Sequence, residues 1–327
     1  MPTILRSAHA EYRVTDLEAA RHFYVETLGF LVTRETQDAL FLGGMEERDL
    51  FSFVLRKAES PGLSHVAFRV EKETDLDALQ QIAAEDELPT VWVNPDGEPG
   101  QGRALRIQDP NGIPIEFFHK HTRRDWQIQH FHKYRGASVM RLDHFNCQVT
   151  DVQKGYDWYT KRLNFHCSEY TATDDQPEKI WAAWLHRKQN VHDIALMNGV
   201  GPRLHHIGFW VYDRTSILTA CDVLASMGYA SSIERGPGRH GISNAFFLYV
   251  RDPDGNRIEL FTSDYLLSDW DMPPVRWSLS DPRRATFWGH IPPKSWFDEA
   301  SFVEDIRTHE LLPVSSPPLK DRPEFVT

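Results

Sequence analysis

Cysteine is scarce in this chain: three thiols in 327 residues, at Cys147, Cys167 and Cys221, odd in number and without regular spacing. That excludes a disulfide framework and fits a reducing cytoplasm. Long apolar runs are missing as well. No stretch approaches the roughly 18 residues that a membrane span requires. The opening MPTILRSAHAEYRV has no apolar segment of the signal-peptide kind. Basic charge is in deficit, with 36 Lys and Arg against 47 Asp and Glu and a net charge of −11. That is the wrong sign for a nucleic-acid binder. The remaining composition, 41% hydrophobic and 12% aromatic, is globular, and the chain is long enough for two domains that each bury a core. Sixteen histidines are many, but surface and core positions account for most histidines, so the number alone marks no site.

What is present is repetition. QDPNGIPIEFF at 108–118 returns as RDPDGNRIELF at 251–261. VTDLEAARHFYVETLGF at 14–30 returns as VTDVQKGYDWYTKRLNF at 149–165, and LSHVAFRV at 63–70 as LHHIGFWV at 204–211. Two related halves follow, about 7–119 and 141–262. The 14–30 and 149–165 strings read as helices. Capping boxes at Thr15 with Glu18 and Thr150 with Gln153 would start them, and left-handed residues Gly29 and Asn164 would end them. Each half divides again, giving four modules over 7–56, 62–119, 141–197 and 203–262. Each module reads as one strand, one helix and three strands. The class is α+β, four βαβββ modules in two tandem domains, and not a doubly wound parallel sheet. The polar, histidine-rich 120–140 reads as a linker. Residues 263–327, rich in Pro and Trp, read as a C-terminal wrap and possible lid.

Asp-Pro-Asp/Asn-Gly suits a type I turn followed by a left-handed glycine, a hairpin connection that fixes register. In the second half it places Tyr249 opposite Glu259; in the first it places Arg106 opposite Glu116. Glu116 thus faces a guanidinium, while Glu259 faces a phenol and is free to bind something else. Strand alternation puts His144 and Asn146 on one face, and His206 with Gly208 and Trp210 on one face. His205 points away, as a structural or supporting residue. Two imidazoles and one carboxylate from three strands make a facial triad suited to non-heme iron(II), with positions open for substrate and dioxygen. Taken singly, each histidine also fits a buried strand residue without a ligand role.

The four modules, with His144, His206 and Glu259 in the first, third and last strands of the second half, resemble the vicinal oxygen chelate (glyoxalase-like) superfamily. AAWLHRKQNVHDIAL at 182–196, IERGPGRHGISNAFFLYVRDPDGNRIELF at 233–261 and RLDHFN at 141–146 resemble the type I extradiol ring-cleaving dioxygenases. Among those, they resemble the members that open 3,4-dihydroxyphenylacetate. The resemblance covers nearly all of 7–300. It implies a non-catalytic domain at 1–119, a linker at 120–140, a catalytic domain at 141–262 and a wrap at 263–327. It implies Fe(II), or Mn(II) as in some relatives, on His144, His206 and Glu259. His192 matches the acid–base histidine, Asn146 and Trp184 match the oxygen side and the pocket, and Tyr249 matches the hydrogen-bond partner of a catechol oxygen. Arg235 and His240 match groups near the substrate's carboxylate. The partners implied are a catechol and dioxygen, with no nucleic acid and no membrane. The product would be 5-carboxymethyl-2-hydroxymuconate semialdehyde, and the assembly a homotetramer.

Two departures stand out. Alignment on Trp-Gly puts Ala285 where the family has a pocket arginine, with Arg283 and Arg284 just before it. The first half also keeps His9, His65 and Glu116 at the triad positions. There Phe51 replaces His192 and Arg106 replaces Tyr249, so that half reads as a scaffold copy. Other readings are a dioxygenase for protocatechuate-like or alkylated catechols, a glyoxalase-like zinc or nickel lyase, a structural metal site, and a metal-free protein that sequesters an aromatic ligand.

Overall fold

The computed structural model describes residues 1–320. The first half contributes β1 (Ile4–Val14), α1 (Leu17–Arg21), β2 (Leu31–Glu35), β3 (Ala39–Gly43), β4 (Phe53–Lys57), β5 (Gly62–Val70), α2 (Thr74–Glu85), β6 (Thr90–Val93), β7 (Ala104–Gln108) and β8 (Pro114–Phe118). The second half contributes β9 (Val139–Val149), α3 (Val152–Lys161), β10 (His166–Ala172), β11 (Ile180–His186), β12 (Ile194–Asn198), β13 (Arg203–Val211), α4 (Arg214–Ser226), β14 (Ile233–Arg239), β15 (Phe246–Arg251) and β16 (Arg257–Thr262). Each half thus runs strand, helix, three strands, twice. The first forms an eight-stranded sheet in the order β2-β3-β4-β1-β5-β8-β7-β6. The second follows the same logic as β14-β15-β16-β13-β9-β12-β11-β10, extended by β17 (Val275–Ser278) beside β10. In each sheet the two module-opening strands pair antiparallel, and each module's last strand returns parallel to its first. No described helix is long and apolar enough to cross a membrane.

Both repeated turns hold the expected register. Gly112 and Gly255 take left-handed φ values of +92° and +85°, and Arg106 faces Glu116 as Tyr249 faces Glu259. The turn aspartates do more than close hairpins. Asp109 Oδ1 accepts the N–H groups of Asn111 and Ile113, both at 2.8 Å, while its Oδ2 accepts the Tyr159 hydroxyl of α3 at 3.2 Å. Asp252 does the same for Asp254 and Asn256, and its Oδ2 accepts the hydroxyl of Tyr24 at 2.9 Å. Each half's turn therefore grips a tyrosine on the first helical segment of the other half. The repeat is a reciprocal inter-domain clasp.

Helix starts differ from expectation. The caps are Asp16, accepting from the N–H of Glu18 and Ala19, and Asp151, accepting from that of Lys154. Aspartate is as good a cap as threonine, and Thr15 is drawn off by Asp254 of the other half. The first helix also loosens to a π-turn over His22–Thr27. Gly29 and Asn164 are left-handed, at φ +85° and +57°. The 120–140 segment is clamped as well as connecting: Arg123 and Arg124 both bond to Asp49. Beyond 262 the chain adds a short helix, α5 (Ser295–Asp298), and β18 (Ser301–Phe302) paired to β13. The expected lid reaches to 327, and its last seven residues lie outside the described residues.

Candidate active site

His144 on β9, His206 on β13 and Glu259 on β16 are each 2–3% exposed, and their ligating atoms lie within 4.8 Å of one another. Glu259 Oε2 is 2.9 Å from His144 Nε2 and 3.3 Å from His206 Nε2. Gly208, directly across from His144 in the ladder, makes room for the imidazole: a Cβ there would lie 2.3 Å from the ring.

The supporting contacts aim both imidazoles. His144 Nδ1 is 3.2 Å from Asp143 Oδ2, which leaves Nε2 toward the centre. His205 was expected to face away, yet a register shift in β13 between Leu204 and His206 brings the two rings together. His205 Nε2 donates to the Trp296 carbonyl at 2.8 Å, so its Nδ1 accepts from His206 Nδ1 at 2.7 Å. His206 Nε2 then carries the lone pair that faces Glu259. Such outer contacts fix tautomer and orientation in metal-binding histidines.

Electrostatics agree. Burial opposes charge on His144, but hydrogen bonds to Asp143 and Glu259 outweigh it and lift its pKa to about 9. Burial brings His206 down to about 4 despite Glu259. The trio therefore accommodates one positive charge where two ring nitrogens and a carboxylate oxygen converge. Its donor set fits a divalent metal with open coordination positions.

A cavity of about 730 Å³, counting its open mouth, surrounds this centre. His192, Asn146, Tyr249, Trp184, Arg235 and His240 of the second half line it, as does Arg284 of the C-terminal wrap. The His192 ring packs 4.0 Å from that of His144, and its Nδ1 is buried without a hydrogen-bond partner. Burial and then the charge on His144 hold its pKa well below the usual imidazole range. Asn146 Oδ1 is likewise buried and unpartnered. Burial and then Glu259 push the Tyr249 phenol well up. His240 Nδ1 donates to the Ala285 carbonyl, so its Nε2 accepts the Tyr249 hydroxyl at 2.9 Å.

Arg235 is 1% exposed. Its hydrogen bonds go to the carbonyls of Ala285 and His290 and to the Thr286 hydroxyl. Among the described residues none goes to a carboxylate. Its guanidinium stacks over Trp296 at 4.5 Å and Phe247 at 4.8 Å. Arg284, only 3% exposed, reaches the same cavity although alignment gave Ala285. Burial lowers both guanidinium groups to about 10. Arg283, by contrast, lies outside and pairs with Asp281.

Sequence reasoning did not single out Trp181, Asp264, Trp296 or Phe297, all of which line the cavity. Trp296 and Phe297 lie in the segment without a repeat partner, so periodicity carried no signal for them. The wrap expected at 263–327 reaches the cavity through Asp264, Arg284, Ala285, Trp296 and Phe297, whereas no residue of 300–320 lines it.

The first half holds a second trio. His9 Nε2 is 3.2 Å from His65 Nε2 and 3.4 Å from Glu116 Oε1. Both Glu116 oxygens are already taken, Oε1 by Gln101 and Oε2 by Arg106, each at 2.7 Å. Burial, and then the Arg106 charge, lower His65 to about 3. Phe51 stands against His9 at 5.2 Å, much as His192 stands against His144.

A profile of the Glyoxalase/Bleomycin resistance protein/Dioxygenase superfamily matches residues 6–117 and again 141–260. The chain is 29% identical over 300 residues to the manganese-dependent 2,3-dihydroxybiphenyl 1,2-dioxygenase of Geobacillus genomosp. 3, covering 87% of this chain and 93% of that one. It is 30% identical over 311 residues to the metapyrocatechase of Geobacillus stearothermophilus, covering 90% and 92%. Among solved structures, homoprotocatechuate 2,3-dioxygenase from Brevibacterium fuscum, in anaerobic complex with 3,4-dihydroxyphenylacetate, superposes with a TM-score of 0.92 at 39% identity, covering 96% of this chain and 97% of that one. With two matching domains and these relatives, the chain belongs to the Glyoxalase/Bleomycin resistance protein/Dioxygenase superfamily, among its metal-dependent extradiol ring-cleaving dioxygenases, oxidoreductases that act on catechols.

Proposed function

We propose that this enzyme opens the ring of 3,4-dihydroxyphenylacetate to 5-carboxymethyl-2-hydroxymuconate semialdehyde, with Fe(II) as its metal and Mn(II) as the alternative. The observation that carries the substrate is Arg235: a cavity-wall guanidinium, 1% exposed, with carbonyls, a hydroxyl and aromatic faces for partners but no hydrogen-bonded carboxylate. A substrate carboxylate would complete it, because charge-assisted guanidinium–carboxylate bonds are strong and directional. Arg284 adds positive potential to the same wall.

In this reading His144, His206 and Glu259 hold the metal, which supplies a Lewis-acid centre where catechol and dioxygen meet. His192 is neutral and its Nδ1 lacks a protein partner; it takes up a catechol proton and returns it during ring opening. Tyr249 directs its own hydroxyl to His240, which leaves its oxygen to accept from a catechol hydroxyl. Asn146 brings its own bare Oδ1 to the cavity that His192 lines. Trp184 supplies an aromatic wall for the ring. The first domain acts as a scaffold without metal, because Gln101 and Arg106 each occupy one oxygen of Glu116 and the Arg106 guanidinium sets a positive charge beside it. We assign a cytoplasmic homotetramer, for which exposed Phe131 and Tyr212 offer apolar surface.

The test is dioxygen uptake by Fe(II)-loaded protein, with 3,4-dihydroxyphenylacetate and 4-methylcatechol compared by kcat/KM. The carboxylate is expected to be worth about 10- to 100-fold, and Arg235→Met should erase most of that preference. Equal rates for both catechols would overturn the substrate assignment.

A further inference from the structure

The segment 187–193 carries His192 at the end of β11, and its anchor lies in the other domain. The hub is Asp193, fully buried at 0% exposure. Its Oδ1 accepts the backbone N–H of Ser7 on β1 at 2.7 Å, the Ser7 hydroxyl at 3.1 Å and Lys188 Nζ at 2.9 Å. Its Oδ2 accepts the N–H groups of Arg187 at 2.6 Å and Lys188 at 3.1 Å. Lys188 Nζ also donates to the Ser7 hydroxyl at 2.8 Å and to the Asp143 carbonyl, next to the ligand candidate His144. Asn190 closes the loop, its amide donating to Asp143 Oδ2 at 2.8 Å and to the His192 carbonyl. Arg187 Nε reaches back to the Ile4 carbonyl of β1 at 3.0 Å.

We propose that Ser7, Lys188 and Asp193 form a buried inter-domain bolt that positions His192 over the cavity, so that the first domain takes part in catalysis through geometry. The His192 ring makes no hydrogen bond to any described residue. Its place is set by its backbone and by its packing on His144. The backbone beside it is held by Asn190 on the His192 carbonyl and by the bonds from Asp193 N–H to the Leu185 carbonyl and from Phe145 N–H to the Asp193 carbonyl, and the Asp193 side chain extends that hold to Ser7 of the first domain. The first strand, through Ser7, thus helps to fix a proton-transfer group of the second domain. Sub-ångström placement is what proton transfer and near-attack geometry depend on.

The inference rests on His192 as the acid–base group, and a double-mutant cycle separates the two claims. Lys188→Met should keep metal content and the anaerobic Kd for 3,4-dihydroxyphenylacetate within about twofold, and lower kcat by about tenfold. Ser7→Ala, which deletes one hydroxyl and no charge, should lower kcat in the same sense by about threefold; it keeps the cycle readable if Lys188→Met does not fold. In a His192→Phe background neither substitution should lower kcat further. If His192→Phe itself leaves kcat intact, the acid–base reading fails. If His192→Phe is slow but Lys188→Met and Ser7→Ala lower kcat equally in both backgrounds, the positioning proposal is overturned. It is also overturned if both variants lose only thermal stability while kcat stands.

Discussion

At the scale of single residues, Gly208 decides whether the second-domain centre can exist. An added methyl would lie 2.3 Å from the His144 ring, and that ring is fixed between Asp143 and Glu259. Gly208→Ala should therefore retain less than about a tenth of the wild-type metal after dialysis, outer-contact and ligand displacements commonly costing 10- to 100-fold in affinity. Metal analysis checks it; a fully loaded variant would show that the His144 ring has room to move. The triad was legible in the sequence because alternation along three strands and the register of one turn suffice to bring it together. Asp143 and Trp296 were not, and for His205 the supporting role was legible but its direction was not. Asp143 and His205 each act on a sequence neighbour that alternation sends to the opposite face, and a shift in β13 overrides alternation for His205. Trp296 reaches the cavity only through the tertiary path of the C-terminal wrap.

At the scale of elements, the repeated turn was legible as a hairpin but not as a clasp. Its local register follows from Pro, Asp and Gly, whereas its grip on Tyr24 and Tyr159 spans the two halves and leaves no local trace. Tyr24→Phe and Tyr159→Phe should each cost about 1 kcal/mol, the net worth of one hydrogen bond, and the pair should add to about twice that because the two clasps share no residue. Urea unfolding would measure both; a neutral Tyr24→Phe would mean that water replaces the phenol at Asp252. The helix starts show the opposite limit. Two adjacent residues, Thr-Asp, both suit a cap; at the first helix Thr15 is held by Asp254 instead, while at the second the cap is likewise the aspartate, Asp151.

At the scale of the whole molecule, the first domain surrounds its own His-His-Glu trio with an internal charge network. Glu11, Glu98 and Glu116 face Arg56 and Arg106. Burial, then the charges of Glu11 and Glu116, raise Glu98 to about 8, while Arg56 keeps Glu11 below its ordinary value against burial. A carboxyl raised in the folded state favours folding most below its unfolded pKa of about 4.3 and loses that contribution as pH rises through the folded value. The contribution of Glu98 should consequently fall between about pH 5 and 8, so the melting temperature of Glu98→Gln should gain on the wild type across that window and exceed it at pH 8. A slope unchanged in Glu98→Gln would assign the proton elsewhere. The two-domain plan was legible because repeats reveal themselves by comparison within one chain. The inter-domain bolt at Ser7 and Asp193 was not, since nothing in either string names its partner.

One measurement tests the central claim most directly: an anaerobic crystal structure of the Fe(II)-loaded protein with 3,4-dihydroxyphenylacetate. The account predicts one metal per chain, held by His144, His206 and Glu259, with both catechol oxygens toward it and the substrate carboxylate on Arg235. A metal held by His9, His65 and Glu116, or a catechol whose carboxylate points away from Arg235, would contradict it.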